Sequence, residues 1–149
     1  VTSAKQPTKP SDPQAVVAAS RALACEIARL AQDRHCRDIV ILELAGLSPV
    51  AMHFVIGTGT SNQQIRAVAK EIGELGESQG FSIYGRAGVE QGRWAVVDFV
   101  DTVVHLFDQE YRNFYDLELL WGDAPKIPWQ QKNDIATEGL GRPKGRNQK

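Results

Sequence analysis

Asp98 and Asp101 bracket what reads as a hairpin turn, and paired carboxylates are the raw material of acid–base or metal chemistry. Asp is also common at strand ends and turns, so catalysis on these two alone is the weaker reading. Residues 57–61 read GTGTS, between an apolar FVI and a helical pattern. Bare amides at a helix start can bind phosphate, and glycine lets a ligand approach the backbone. No Walker lysine follows, however, and the spacing is not G-x-G-x-x-G. A tight strand-to-helix connection capped by Thr60 or Ser61 is the stronger reading. Cys25, His35, Cys36 and His53 have separations that fit no common zinc spacing. Cys25 lies near Leu23 and Ile27 in a helical pattern, where a small buried hydrophobe is expected. His105 stands inside an apolar strand, where a lone histidine is most often structural or surface-exposed. These residues assign no catalytic group, no metal ligand and no cofactor.

A wider tally says more. Residues 98–123 carry seven Asp/Glu against Arg112 alone, a net −6. The same stretch holds Phe99, Phe107, Tyr111, Phe114, Tyr115 and Trp121. Acid interleaved with aromatics suits a basic protein surface, where charge steers and rings anchor. The competing reading is an acidic, solvated helix face over an ordinary core.

Elements must position these groups. Asp12-Pro13 is a good helix start, because Asp caps free amides and Pro suits the first helical position. Val16, Leu23, Ile27 and Leu30 then form one stripe of a helix over 13–33. Asp38–Ala45 predicts a strand covered on both faces, and Phe54–Ile56 a second. Ser61 and Gln64 have capping-box spacing. Ile65, Val68, Ala69, Ile72 and Leu75 continue as a helix, with Gly80 as its stop. Phe81–Tyr84 predicts a short strand and Gly85–Gly92 a loop. Arg93–Phe99 and Thr102–Phe107 predict a tight hairpin, and Glu110–Trp121 a third helix. The order is close to αββαβββα: a small mixed sheet of about five strands with helices packed on it, the α/β class.

The chain has 149 residues, which fits one domain. Its longest strictly apolar run is five residues, Ala15–Ala19, far short of a membrane span or a secretory h-region. Two cysteines make no disulfide framework, and a reducing, cytosol-like compartment is expected. The first residue is Val1, as in a processed or trimmed product. Residues 1–12 read as a disordered lead-in, 13–129 as the folded body and 130–149 as a disordered basic tail. The net charge of −1 divides unevenly: 13–129 holds 10 Lys/Arg against 15 Asp/Glu, while 130–149 is +3. An acidic body argues against a compact nucleic-acid reader and favours a basic protein partner. The tail could touch phosphates loosely.

The segments DIVILELAGLSPVAMHFVIGTGTSNQQIRAVA and GRWAVVDFVDTVVHLFDQEYRNFYDLELLWGDAP resemble the ribosomal silencing factor, or Iojap-like, family over about residues 15–125. FVIGTGTS, GRWAVVDF, DTVVHLF and FYDLELLWGDAP are the most specific pieces. The resemblance implies a non-enzymatic translational repressor, often dimeric, with a nucleotidyltransferase-like sheet lacking catalytic carboxylates. It further implies binding to the large ribosomal subunit at universal large-subunit protein fourteen, which blocks subunit joining by steric occlusion. At the hairpin turn the family often has Gly before Asp, and here Val100 precedes Asp101. The alternatives are a nucleotide-binding or nucleotidyl-transfer enzyme using the GTGTS loop, and a dimeric scaffold.

The expected binding face follows from strand alternation. A two-residue turn at Val100-Asp101 pairs Phe99 with Thr102. Trp94, Val96 and Asp98 then share a face with Val103, His105 and Phe107. Ala95, Val97, Phe99, Val104 and Leu106 turn to the core. Because a β-branched residue is poor at positive φ, a three-residue turn stays open as the alternative. The expected partner-binding residues are Trp94, Asp98, Asp101, Val103 and His105, with Tyr111, Tyr115 and Trp121 from the following helix.

Overall fold

The computed structural model describes residues 12–130. The lead-in expected over 1–12 and the tail expected over 130–149 lie outside it, apart from Asp12 and Gln130. The elements are α1 (Pro13–Asp33), β1 (Arg37–Glu43), β2 (His53–Thr58), α2 (Asn62–Ser78), β3 (Gly85–Ala87), β4 (Trp94–Asp98), β5 (Thr102–Phe107), α3 (Gln109–Tyr115) and α4 (Leu117–Leu120). The five strands form one sheet in the order β1-β2-β5-β4-β3. Only β2 and β5 run parallel, and the other neighbours are antiparallel.

The long helices start as their sequences predict. The Asp12 carboxylate accepts the Gln14 amide at 3.1 Å, and Pro13 opens α1. Ser61 Oγ accepts the Gln64 amide at 3.0 Å. The Gln64 carboxamide oxygen reaches back to the Thr60 amide at 2.6 Å, one residue earlier than a standard capping box places it. Gly73 and Gly76 do not end α2. Both are buried, and a Cβ on Gly76 would come within 2.4 Å of the Phe99 ring, so glycine is what lets that ring lie against the helix. The helix stops at Gln79, before Gly80 at φ 91°.

Both long helices cover one face of the sheet. Leu23, Ile27 and Ala31 of α1 and Ile65, Val68 and Ile72 of α2 pack on Ile41, Val55, Val97, Val104 and Leu106. Every residue of the central strand β5 is buried. A second, smaller cluster fills the opposite face around Leu42, Leu44, Ile56, Phe107 and Ala124. The edge of β1 is covered by a returning strap. The Glu43 amide donates to Pro125 O (2.8 Å), the Ile127 amide to Ile41 O (2.9 Å) and the Trp129 indole to Ile39 O (3.2 Å). An exposed strand edge invites pairing with another chain, and this strap removes it.

Two expectations are corrected. Phe81–Tyr84 is not a strand; the edge strand is Gly85–Ala87, inside the segment expected to be a loop. Phe81 and Ile83 are drawn toward the helix-covered core, and ladder pairing begins only at Gly85 opposite Asp98. The third helix is not continuous over 110–121. Asp116 adopts the left-handed conformation at φ 45°, closing α3 and capping α4 through its carboxylate. Asp tolerates that conformation and is a strong N-cap, so one residue can do both.

The hairpin has the two-residue turn. Phe99 N donates to Thr102 O at 2.9 Å, and Asp98 pairs with Val103. Val100 sits at φ 78°, and Asp101 N donates to Phe99 O at 3.0 Å, a γ-turn on a β-branched residue. The surroundings hold it there. Asp98 Oδ1 accepts the Val100 amide at 2.7 Å. The Asp101 carbonyl accepts Met52 N (2.8 Å), His53 N (3.0 Å) and Ser20 Oγ (3.2 Å). Strain of this kind costs about 1–3 kcal/mol. Val100→Gly removes the strain and returns part of the gain as unfolded-chain entropy. The variant is expected to gain about 1 kcal/mol, a rise of a few degrees in the thermal midpoint. A lower midpoint would mean that Val100 is not strained.

Candidate functional site

Trp94, Val96 and Asp98 of β4 do lie on one face with Val103, His105 and Phe107 of β5, as the Trp94–Phe107 and Asp98–Val103 pairs require. This is the face that α1 and α2 leave uncovered. Aromatic rings take the helices' place. Trp94 stacks on Phe107 with centroids 4.9 Å apart, and Tyr115 lies on Trp94 at 4.6 Å. Phe54 packs on His105 at 4.5 Å and meets the edge of Trp121 at 6.3 Å. Above the rings, α3 and α4 turn Phe114, Leu119 and Leu120 outward, each more than 70% exposed. Scattered single apolar residues are ordinary on a surface, whereas contiguous exposed apolar patches are the usual signature of an interaction site.

Two arginines, Arg112 buried and Arg93 partly exposed, tie this arm to the sheet. The Arg112 guanidinium donates to Asp38 O (2.6 Å) and Thr58 Oγ1 (2.8 Å) and pairs with Glu118. Arg93 bonds Asp108 at 2.6 Å and Glu110 at 2.5 Å, and lies 4.1 Å over the Tyr111 ring. Asp108, Glu110 and Glu118 are therefore internally paired. The other acidic residues of 98–123 are Asp98, Asp101, Asp116 and Asp123, of which Asp98 shares a face with Trp94.

The expected residues divide by depth. Tyr115 is exposed, and Trp94, Asp98, Asp101, Tyr111 and Trp121 are half-buried. Val103 and His105 are 8% and 7% exposed, below the surface that the alternation argument put them on. The Phe54 ring of β2 packs on His105, which an argument from β4 and β5 alone cannot foresee. Phe54, Phe114, Leu119 and Leu120 were missed. The break at Asp116 decides where the two leucines face, and its one sequence signal is an Asp inside an otherwise helical run.

His105 is the most constrained group of the face. The Trp94 indole N–H can only donate, and it lies 3.1 Å from His105 Nδ1. Nδ1 is therefore the acceptor, and the neutral ring carries its proton on Nε2. That atom is buried with no partner among the described residues. An unpaired buried donor costs about 1–3 kcal/mol. Burial also pushes the imidazole pKa down to about 4.

His53 differs. Its Nδ1 lies 2.7 Å from Ser20 Oγ, which in turn lies 2.7 Å from Thr102 Oγ1. With the proton on Nδ1, His53 donates to Ser20 and Ser20 donates to the Asp101 carbonyl, so only a bare acceptor is left over. Burial lowers the His53 pKa and keeps the ring neutral. A hydroxyl against an imidazole is also the geometry of a nucleophile and its base. Here Ser20 and His53 are 1% and 0% exposed, and the pair instead pins α1 to the hairpin turn.

The other chemical candidates are accounted for by packing. Two amides of the GTGTS loop are already engaged: Gly59 N donates to Phe107 O and Thr60 N to Gln64. A Cβ on Gly59 would come within 2.3 Å of Ile65, so that glycine serves close packing. Burial raises the Cys25 thiol pKa and pushes that of Cys36 to about 11, so both remain protonated and poorly nucleophilic. Among the described residues, no three His, Cys, Asp or Glu side chains come together as a metal site, and no helix is long and apolar enough to cross a membrane.

The sequence pattern of the family described as "Ribosomal silencing factor during starvation" matches residues 17–148, further toward the C-terminus than the resemblance read over 15–125. The chain is 41% identical over 93 residues to ribosomal silencing factor RsfS of Bacillus subtilis (strain 168), covering 62% of this chain and 79% of that one. It is 35% identical over 129 residues to the chloroplastic protein Iojap of Arabidopsis thaliana, covering 85% of this chain and 51% of that one. A crystal structure of a Chromobacterium violaceum protein superposes with a TM-score of 0.67 at 29% identity, covering 75% of this chain and 92% of that one. One from Bacillus halodurans gives 0.61 at 33%, covering 72% and 95%.

The buried imidazole sets a pH dependence. Above pH 6.5, His105 is neutral whether the chain is folded or unfolded, and it adds no slope. Between 6.5 and about 4 the unfolded chain takes up a proton that the folded one refuses, so stability falls as pH falls. The loss saturates near about 3 kcal/mol below pH 4. His53 acts in the same direction. Urea unfolding of the parent and of His105→Phe at pH 7.5, 6, 5 and 4 should show the parent losing more stability over this range. Parallel pH profiles would contradict the account.

Proposed function

This chain belongs to the ribosomal silencing factor family, and from that premise we propose that it represses translation by sitting on the large ribosomal subunit. The partner surface is universal large-subunit protein fourteen, and occupying it blocks the approach of the small subunit. The observation that carries this reading is the sheet face described above: exposed rings and leucines from α3 and α4, set among carboxylates. Charge of this sign steers toward a basic ribosomal protein, and aromatic anchors supply the residence time. The mechanism is steric and calls for no cofactor and no chemistry. A second copy of the chain would compete for the same apolar residues, which makes a homodimer and the ribosome-bound form alternatives. Basic residues of 130–149 add a loose contact with ribosomal RNA phosphates. The site of action in this reading is the cytosol or the ribosome-bearing compartment of an organelle.

The test is co-sedimentation with purified large subunits. Tyr115→Ala and Trp94→Ala each remove an anchor, and a hot-spot loss of about 2 kcal/mol is roughly thirtyfold in affinity. Asp98→Lys reverses a steering charge, so its effect should be largest at low salt. Circular dichroism checks that each variant is folded. If all three are folded and bind within about twofold of the parent, a change of about 0.4 kcal/mol, this face is not the interface.

A further inference from the structure

The orphan donor on His105 sits in the middle of the face assigned to the partner, and the fold does not explain it. Other buried polar groups described above have partners: Arg112 has three, and Ser20, Thr102 and Thr58 are bonded. Among the described residues only His53 Nε2 is likewise unpartnered, and the Ser20 hydroxyl beside its Nδ1 can accept, so that ring has a tautomer open to it that leaves no bare donor. His105 has no such escape, because Trp94 holds Nδ1 as the acceptor. Its neighbours are the rings of Phe54, Trp94 and Phe107, and accepting the Trp94 indole N–H accounts for Nδ1 but leaves the proton on Nε2 without a use in the fold. Natural folds keep few such groups, and a retained one calls for a reason.

Tyr115 lies on Trp94, the ring that bonds His105, is 45% exposed and is the last residue of α3. Asp116 follows in the left-handed conformation, so no continuous helix carries Tyr115 into α4.

We propose that His105 is a recognition donor: when the partner docks, the aromatic cover shifts and Nε2–H donates to a backbone carbonyl oxygen of the partner protein. This rests on the ribosome-binding reading of the same face and adds to it the chemistry of the acceptor. The surroundings select a neutral acceptor. Asp98 stands on the next same-face pair of the β4–β5 ladder, and it repels a carboxylate or a phosphate while leaving a carbonyl unaffected. The RNA backbone is thereby disfavoured at this position, and a protein carbonyl fits it.

Two variants and one spectroscopic readout test this. His105→Phe removes the donor and keeps the ring. It also takes the acceptor from the Trp94 indole, so one unpaired N–H replaces another: the variant should unfold close to the parent's temperature, yet bind large subunits at least tenfold more weakly. His105→Gln keeps an N–H near the position of Nε2 and should bind within about threefold of the parent. In the parent with nitrogen-15-labelled histidine, adding purified universal large-subunit protein fourteen should move the His105 Nε2–H resonance downfield and slow its exchange with solvent. His105→Phe binding within twofold of the parent would overturn the proposal, and so would an unmoved resonance in a chain that binds. A parent that binds no large subunits overturns the ribosome reading itself, whereas a parent that binds with an indifferent His105 overturns this inference alone.

Discussion

The sheet has two apolar faces and the chain has long helices for one of them. That constraint shapes the rest of the molecule. Helices α1 and α2 run 21 and 17 residues and seal the face built on Val55, Val104 and Leu106. The opposite face carries Phe54, Ile56, Trp94 and Phe107 and receives only the 7-residue α3 and the 4-residue α4. Short helices cannot hide that much surface, so rings stack over one another and the outermost apolar side chains remain in contact with solvent. The exposed patch is thus a direct consequence of how little helix the second face receives.

Holding such a face in one shape takes polar contacts in the right places. The Asp101 carbonyl collects three donors from α1, β2 and the loop before β2, and these hold Val100 in a backbone conformation it would not choose. Arg112 ties α3 to the start of β1 and the end of β2. Arg93 ties the start of β4 to the start of α3. Each is a charged or polar group with its partners in place, which is when a buried network rigidifies rather than destabilises. His105 is the group on this face whose partner is missing.

Much of this was legible in the residues. The period of Val16, Leu23, Ile27 and Leu30 located α1, and alternation across the hairpin placed Trp94 and Asp98 with Val103 and His105. Local rules sufficed there because neighbours in sequence decide the outcome. They failed where distant groups decide it. Gly76 stands inside the helix that the sequence predicts to stop at Gly80, but only the Phe99 ring lying against it shows why a glycine is there. Asp116 reads as one more helical residue until its backbone turns left-handed and splits the element. The depth of His105 depends on Phe54, from a strand some fifty residues earlier, and no pattern near residue 105 encodes that. The family was legible because several segments occur in the right order; the shape of its docking face was not.

The central claim is that this face, once occupied by the large subunit, excludes the small one. Subunit association followed by light scattering measures that directly. Large subunits preincubated with saturating chain should fail to join small subunits, and should recover when a large excess of free universal large-subunit protein fourteen is added. Joining at the uninhibited rate, with the chain still bound to the large subunit, would contradict the account.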